Sequence, residues 1–235
     1  MHGTTPVALI KFKIGGNLRF LSHAETIKLF QRACVRCGIR ARYSQGFNPR
    51  IKMSLPLPRS VGVQAEDELL SLQLQALPET RQYSTADAEE LKSRLARQLP
   101  DGCQVLSAEI KDAKSSLQPC SATYQLPVKS QLVNCRIKQR IENILAGKSL
   151  FVDRRIYGTG SRAAHKKNLY KSKTVNVRGY LKSIDLADNI IIVECGIDST
   201  GSVRIDELLT LLEIKPEHLA APVKRTGVKW SVSRC

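Results

Sequence analysis

The sequence predicts an α+β protein made of two successive sandwiches, each with helices on one face of an antiparallel sheet. Three observations lead there. In the first 112 residues, short β-rich runs alternate with two amphipathic helical stretches. A polar break containing Pro119 follows at 113–121, and a similar element order then returns over 122–235 without visible sequence repetition.

Val7–Ile14 (VALIKFKI) is β-rich and partly alternating, and Gly15-Gly16-Asn17 supplies a turn after it. In the next run, FLSHAETIKLFQRACVRCGI, Ser22 and Glu25 have the spacing of a capping box. Ile27, Phe30, Cys34 and Cys37 recur at helical spacing, and Gly38 suits the stop. A strand near Ile39–Tyr43 and extended segments near Lys52–Leu57 and Glu68–Leu74 come next. Ala86–Leu99 places Leu91, Leu95 and Leu99 on one helical face, and Cys103–Ile110 is a closing strand. Strand–helix–strand–strand–helix–strand is the order of a ferredoxin-like sandwich. In the second half, Ala122–Val128, Leu150–Ile156, Thr174–Leu181, Asn189–Ile197 and Val223–Val232 read as strands, with helices over Arg136–Leu145 and Arg204–Leu212. The expected organisation is therefore two ferredoxin-like subdomains, 1–112 and 122–235, joined by the linker 113–121. The second carries a basic insertion at 154–182.

Charge is the dominant global property, with a formal net charge of +16 over 235 residues. From Met1 to Ala65 the only carboxylate is Glu25, and from Ala113 to Lys182 the only ones are Glu142 and Asp153. A balance this uneven attracts polyanions. The stretch RYSQGFNPRIKMSLPLP, from Arg42 to Pro58, groups amide, aromatic and cationic side chains about a turn marked by Gly46 and Asn48-Pro49. Arg154–Lys182 holds nine Lys or Arg and no carboxylate, with Tyr157, Tyr170 and Tyr180 interleaved. Cations that neutralise phosphates and aromatic faces on which unpaired bases stack are the ingredients of RNA binding. The residues expected to contact nucleic acid are Arg19, Arg42, Gln45, Asn48, Arg50 and Lys52, then Arg154, Arg155, Lys166, Lys167, Lys173 and Arg178. The competing reading is a solvated, lysine-rich surface.

Seven scattered cysteines, an odd number, fit reduced thiols better than a disulfide framework. Cys34-x-x-Cys37 lies at the end of its helix rather than at the N-terminus that would stabilise a thiolate, so core packing is expected. His23 sits at the first helical turn without a readable partner. Asp87, Glu89 and Glu90 occupy a helix start, where negative charge is favoured. Nucleophile elbow, zinc helix motif and dinucleotide fingerprint are absent from the sequence. No apolar run reaches the roughly 18–20 residues of a membrane span. A cytoplasmic location is expected, without membrane contact, metal or cofactor.

RFLSH (Arg19–His23), YSQGFNPR (Tyr43–Arg50), LPLPRSVGV (Leu55–Val63), KTVNVRGYL (Lys173–Leu181) and KRTGVKW (Lys224–Trp230) occur in that order. Together they resemble the radical-SAM-linked proteins, a bacterial domain of unknown function. The resemblance implies a radical SAM enzyme as partner, because members occur fused to, or beside, such enzymes, often with a cobalamin-binding domain. Some sit beside a ribonuclease of the E/G type and ribosomal protein genes, in agreement with RNA. His23, Ser44 and Phe47 are motif positions to which the resemblance attaches no role. The chain has no Cys-x-x-x-Cys-x-x-Cys arrangement for a radical SAM cluster. The expectation is a non-catalytic accessory protein that binds RNA and works with a radical SAM enzyme, in RNA modification or translation-related metabolism. A protein–protein adaptor or substrate-carrier subunit is the alternative, and an enzyme using His23 and the Ser44-Gln45 region a more remote one.

Overall fold

A computed structural model describes residues 5–78, 80–112, 115–156 and 171–234. It shows a mixed α+β fold with one large sheet of eight strands and a separate two-stranded hairpin. In the first half, β1 (Pro6–Ile14) is followed by α1 (His23–Arg36), the two-residue β2 (Met53–Ser54), β3 (Gln64–Gln73), α2 (Thr85–Ala96) and β4 (Cys103–Asp112). The second half contains β5 (Ser115–Pro127), α3 (Cys135–Ala146), the hairpin β6 (Phe151–Ile156) and β7 (Lys171–Asn176), β8 (Leu181–Ala187), β9 (Ile190–Gly196), α4 (Ile205–Leu211) and β10 (Lys224–Arg234). Among the described residues no helix is long and apolar enough to cross a membrane.

Local chemistry explains most of these elements. Ser22 and Glu25 form the reciprocal cap anticipated for α1: the Ser22 backbone N–H donates to Glu25 Oε2 at 2.8 Å, and Ser22 Oγ accepts from the Glu25 N–H at 3.3 Å. Ser84 and Asp87 repeat the device on α2, so Asp87 is a capping residue. The Asn134 side chain caps α3. Cys34 is buried beside Phe30 and Ala33 on the core face of α1, which matches the packing role expected of it.

The strands pair as β4-β1-β3-β10-β5-β9-β8, with β2 also on β3. Each half thus has the spatial order fourth, first, third, second: β4-β1-β3-β2, then β10-β5-β9-β8. Two separate antiparallel sheets were expected, and the structure has one mixed sheet instead. Its seam is a short parallel contact in which Lys224 and Arg225 of β10 lie opposite Gln64 and Ala65 of β3. One core packs α1 and α2 on the first half, and the other packs α3 and α4 on the second. Both lie on the same side of the sheet, since Arg225 is in register with Ala65 of the first core and with Tyr124, which packs against the second.

Four readings change. Thr174–Leu181, read as one strand, leaves β7 at Asn176 and turns through a short 3-10 helix over Arg178–Tyr180 before β8 begins. Ile39–Tyr43 is not a strand: isolated bridges join Ala41 to Leu74 and Tyr43 to Ile51, because β2 occupies the β3 edge for only two residues. Residues 115–121, read as linker, form the start of β5 and pair with β10. Pro119 fits there because it faces Trp230 at a register shift, where a missing N–H is tolerated. Leu150–Ile156 is a strand, but of the hairpin rather than the main sheet, and its pairing with β7 places the basic segment on an excursion between α3 and β8. Unforeseen was β8, joined to β9 through Asp188 and Asn189, with Asp188 at φ 50°. Asx residues tolerate that conformation, so Asp-Asn between two apolar runs was the available signal.

Candidate nucleic-acid interface

The two basic segments occupy equivalent places in the two halves. One joins α1 to β2, the other α3 to β8, and in each half that connection links the first helix to the second strand in order. Strand directions then fix where they lie. β3 runs antiparallel to β1 and β2, β10 runs parallel to β3, and β5, β9 and β8 alternate from there. β2 and β8 therefore point the same way, and the connections entering them leave from the same end of the sheet. Laterally they stand roughly three strand spacings apart, about 14 Å; the pairing registers also offset their starting points along the strands.

The first connection is a closed ribbon. Arg42 N–H donates to the Gln73 carbonyl and Gln73 N–H to the Lys52 carbonyl, both at 2.9 Å, tying both arms to the end of β3, and Lys52 N–H donates to the Arg42 carbonyl at 2.8 Å. Ser44 closes the tip: its N–H donates to the Arg50 carbonyl at 2.8 Å, and its Oγ accepts from the Arg50 N–H at 3.0 Å. That gives this motif serine a structural task. Gly46, at φ 121°, makes the turn that L side chains rarely adopt. Gln45, Phe47, Asn48 and Arg50 are exposed, and the Phe47 ring is bare, at 106% relative exposure. Arg42 donates to Thr5 Oγ1 at 2.8 Å. Among the described residues no carboxylate forms a salt bridge with Arg40, Arg42, Arg50 or Lys52.

Different work falls to the cations of the second segment. Arg154 on β6 is largely buried and pairs with Glu207 of α4, Nε to Oε1 at 2.7 Å and Nη2 to Oε2 at 2.9 Å, and also donates to the Ser202 carbonyl. Glu207's carboxyl is held below its ordinary value: burial pushes it up, but hydrogen bonds from Arg154 and from the Arg204 N–H outweigh that. Arg178 donates to the carbonyls of Leu145 and Gly147 at the end of α3, and to that of Leu181. These two arginines hold the hairpin to its helices, and their donors are spent internally. Lys173 is exposed on β7, opposite Arg154. Arg155 lies on β6 opposite Ser172. Lys166, Lys167, Tyr157 and Tyr170 lie outside the described residues.

Arg19 is not brought to this end. It follows β1 at the opposite end of the sheet, where its Nη1 donates to the Gly16 carbonyl and its guanidinium lies 4.3 Å from the Phe20 ring centroid. His23, half-buried, lines a narrow cleft with Thr26, Leu55, Leu57, Arg59 and Glu68. Sequence reading overlooked what surrounds that cleft. Arg59 donates to the carbonyls of Leu18, Arg19, Leu21 and Val63. Arg225 pairs with Glu68 and donates to the carbonyls of Leu57 and Pro58. The motif stretches RFLSH, LPLPRSVGV and KRTGVKW thus meet around two guanidinia that gather backbone oxygens. The available signal was Arg59 inside the otherwise largely apolar stretch LPLPRSVGV. Among the described residues no group of His, Cys, Asp or Glu is placed to hold a metal ion.

A family model described as an uncharacterized protein conserved in bacteria (DUF2344) matches residues 8–205. The chain belongs to that family. No curated protein matches it. The DUF2344 match spans both basic connections and most of the sheet, and it ends before β10 and the seam arginine Arg225.

Proposed function

We propose that this DUF2344 protein is a non-catalytic accessory factor that binds RNA across the end of the sheet where its two basic connections emerge. The observation that carries the reading is their equivalence: both connections leave the sheet at one end, and in the first, among the described residues, Arg40, Arg42, Arg50 and Lys52 form no salt bridge with a carboxylate. In this reading the two halves are ferredoxin-like units joined edge to edge. Arg42, Arg50, Lys52 and Lys173 take phosphates, while Gln45 and Asn48 meet bases or sugars. Arg154 and Arg178 act by holding the hairpin. The RNA is presented to a radical SAM enzyme, a partner supported by the motif resemblance, and the carbon chemistry belongs to that enzyme.

The test is a binding titration of single-stranded and tRNA-like RNA over a range of salt. Affinity falls steeply, with a logarithmic slope of about −0.7 per phosphate engaged on a single strand. Absence of binding at low salt ends this reading. Pull-down of the radical SAM partner with and without nuclease separates it from a protein adaptor, because an RNA bridge is lost on digestion.

A further inference from the structure

We infer that the 42–52 ribbon is a reader of single-stranded RNA in which the Phe47 ring is the platform for one unpaired base. The inference rests on the RNA reading above and names the class of RNA. Burying an aromatic ring releases free energy, so a phenylalanine with its whole surface in water is a cost the fold leaves unrecovered. Nothing in the ribbon folds back over it. The ribbon is nevertheless not slack: the Ser44–Arg50 pair of hydrogen bonds and the Tyr43–Ile51 bridge hold its arms together. Phe47 is therefore presented on a braced tip, with the exposed amides of Gln45 and Asn48 beside it in sequence.

The class follows from which faces are available. In a duplex each base face is already covered by its neighbours, and the A-form major groove is too deep and narrow for side chains to read. An unpaired base offers both a face to the ring and its edge to the two amides. Arg42, Arg50 and Lys52 on the arms supply the cations that a phosphate chain needs on either side of that base. A protein pocket would also accept a phenylalanine, and it is the outcome that the experiment must be able to return.

The experiment uses the full chain with Phe47→Trp as a reporter, Phe47→Ala and Arg50→Ala, each checked for an unchanged thermal midpoint. The probes are a 12-nucleotide oligouridine and a 12-base-pair RNA duplex. Oligouridine should quench the exposed Phe47→Trp fluorescence. Phe47→Ala should weaken its binding about tenfold with the salt slope intact, whereas Arg50→Ala lowers the slope by about 0.7. Duplex should bind more weakly and leave the tryptophan unquenched. If Phe47→Ala leaves affinity intact while Arg50→Ala reduces it, RNA binding stands and the stacking platform falls. If wild type binds neither RNA, both readings fall; Phe47→Trp quenched by the purified radical SAM partner instead would make the ring a protein anchor.

Discussion

Arg225 of the last strand lies against Glu68 of the third, Nε to Oε1 at 2.8 Å and Nη2 to Oε2 at 2.6 Å, with both side chains buried. The pair sits where the two halves of the sheet meet. β2 pairs with β3 only at Leu72 and Ser71, and β10 only at Gln64 and Ala65, so the β3 edge between them is shared by two partners. The segment Leu55–Pro58 leaves carbonyls there that no ladder uses, and Arg225 takes two of them. Burial, the largest influence, pushes the Glu68 carboxyl up, with Arg225 and then Arg59 pulling it back.

Removing one partner strands the other. Arg225→Met should destabilise the protein by about 3–5 kcal/mol in urea unfolding, because Glu68 is left as an unpaired buried charge. Adding Glu68→Leu should recover a good part of that loss. A double variant no better than Arg225→Met alone would mean that the Leu57 and Pro58 carbonyls, not the ion pair, need the guanidinium.

The hairpin anchor predicts an acid-side pH dependence. Glu207's carboxyl is depressed in the folded chain, so between the folded and unfolded values the unfolded chain binds more proton, and the pair stabilises the fold in full only above the unfolded value. That contribution is present at neutral pH and is lost as pH falls through the lower folded value. Glu207→Gln should therefore reduce stability at pH 7, with the difference from wild type shrinking towards pH 3. A constant difference across that range would exclude Glu207 ionisation as the source.

Cys34, Cys103 and Cys195 predict the opposite, alkaline side. Burial pushes each thiol up to about 12. Above the ordinary thiol value of about 8.5 the unfolded chain loses these protons while the folded chain keeps them, so stability falls from there towards pH 12. Native labelling with a thiol reagent at pH 8 should modify the exposed Cys135 at once and spare these three until the chain unfolds.

Gly102 predicts a backbone effect. It has φ 90°, its carbonyl accepts from the Gly15 N–H, and a Cβ there would stand 2.9 Å from the Gly15 carbonyl oxygen. Gly102→Ala should cost about 2 kcal/mol in unfolding experiments. An unchanged midpoint would show that the β1 and β4 ends relax freely.

The ribbon tip predicts function without stability. Asn48 and Arg50 are exposed, and the Arg50 backbone rather than its side chain closes the tip. Asn48→Ala with Arg50→Ala should weaken RNA binding severalfold and leave the thermal midpoint within about 1 °C, since exposed substitutions cost little. A large drop in that midpoint would mean the phrase QGFNPR serves the fold.

Helices and most strands were legible in the sequence because they depend on neighbours in the chain. Ser22 to Glu25 is one turn, and the buried face of α1 repeats with the helical period. Charge was legible as an amount but not as an availability. Arg154 and Arg178 have the same chemistry as Arg42 and Arg50, and only their partners, 53 and 33 residues away for Glu207 and Leu145, mark them as internal. Arg59 and Arg225 escaped notice for the same reason. Apart from Glu68, 157 residues from Arg225, their acceptors are backbone carbonyls, a group that every residue carries.

The helices, most of the strands, the lopsided charge and the turn around Gly46 were determined by the sequence alone, each legible within a few residues. That the two halves share one sheet, and that both basic connections leave from the same end, was decided only by the tertiary structure. The physical reason is the parallel seam at Arg225: pairing β10 with β3 sets the relative direction of the two halves, and that direction rests on contacts about 160 residues apart.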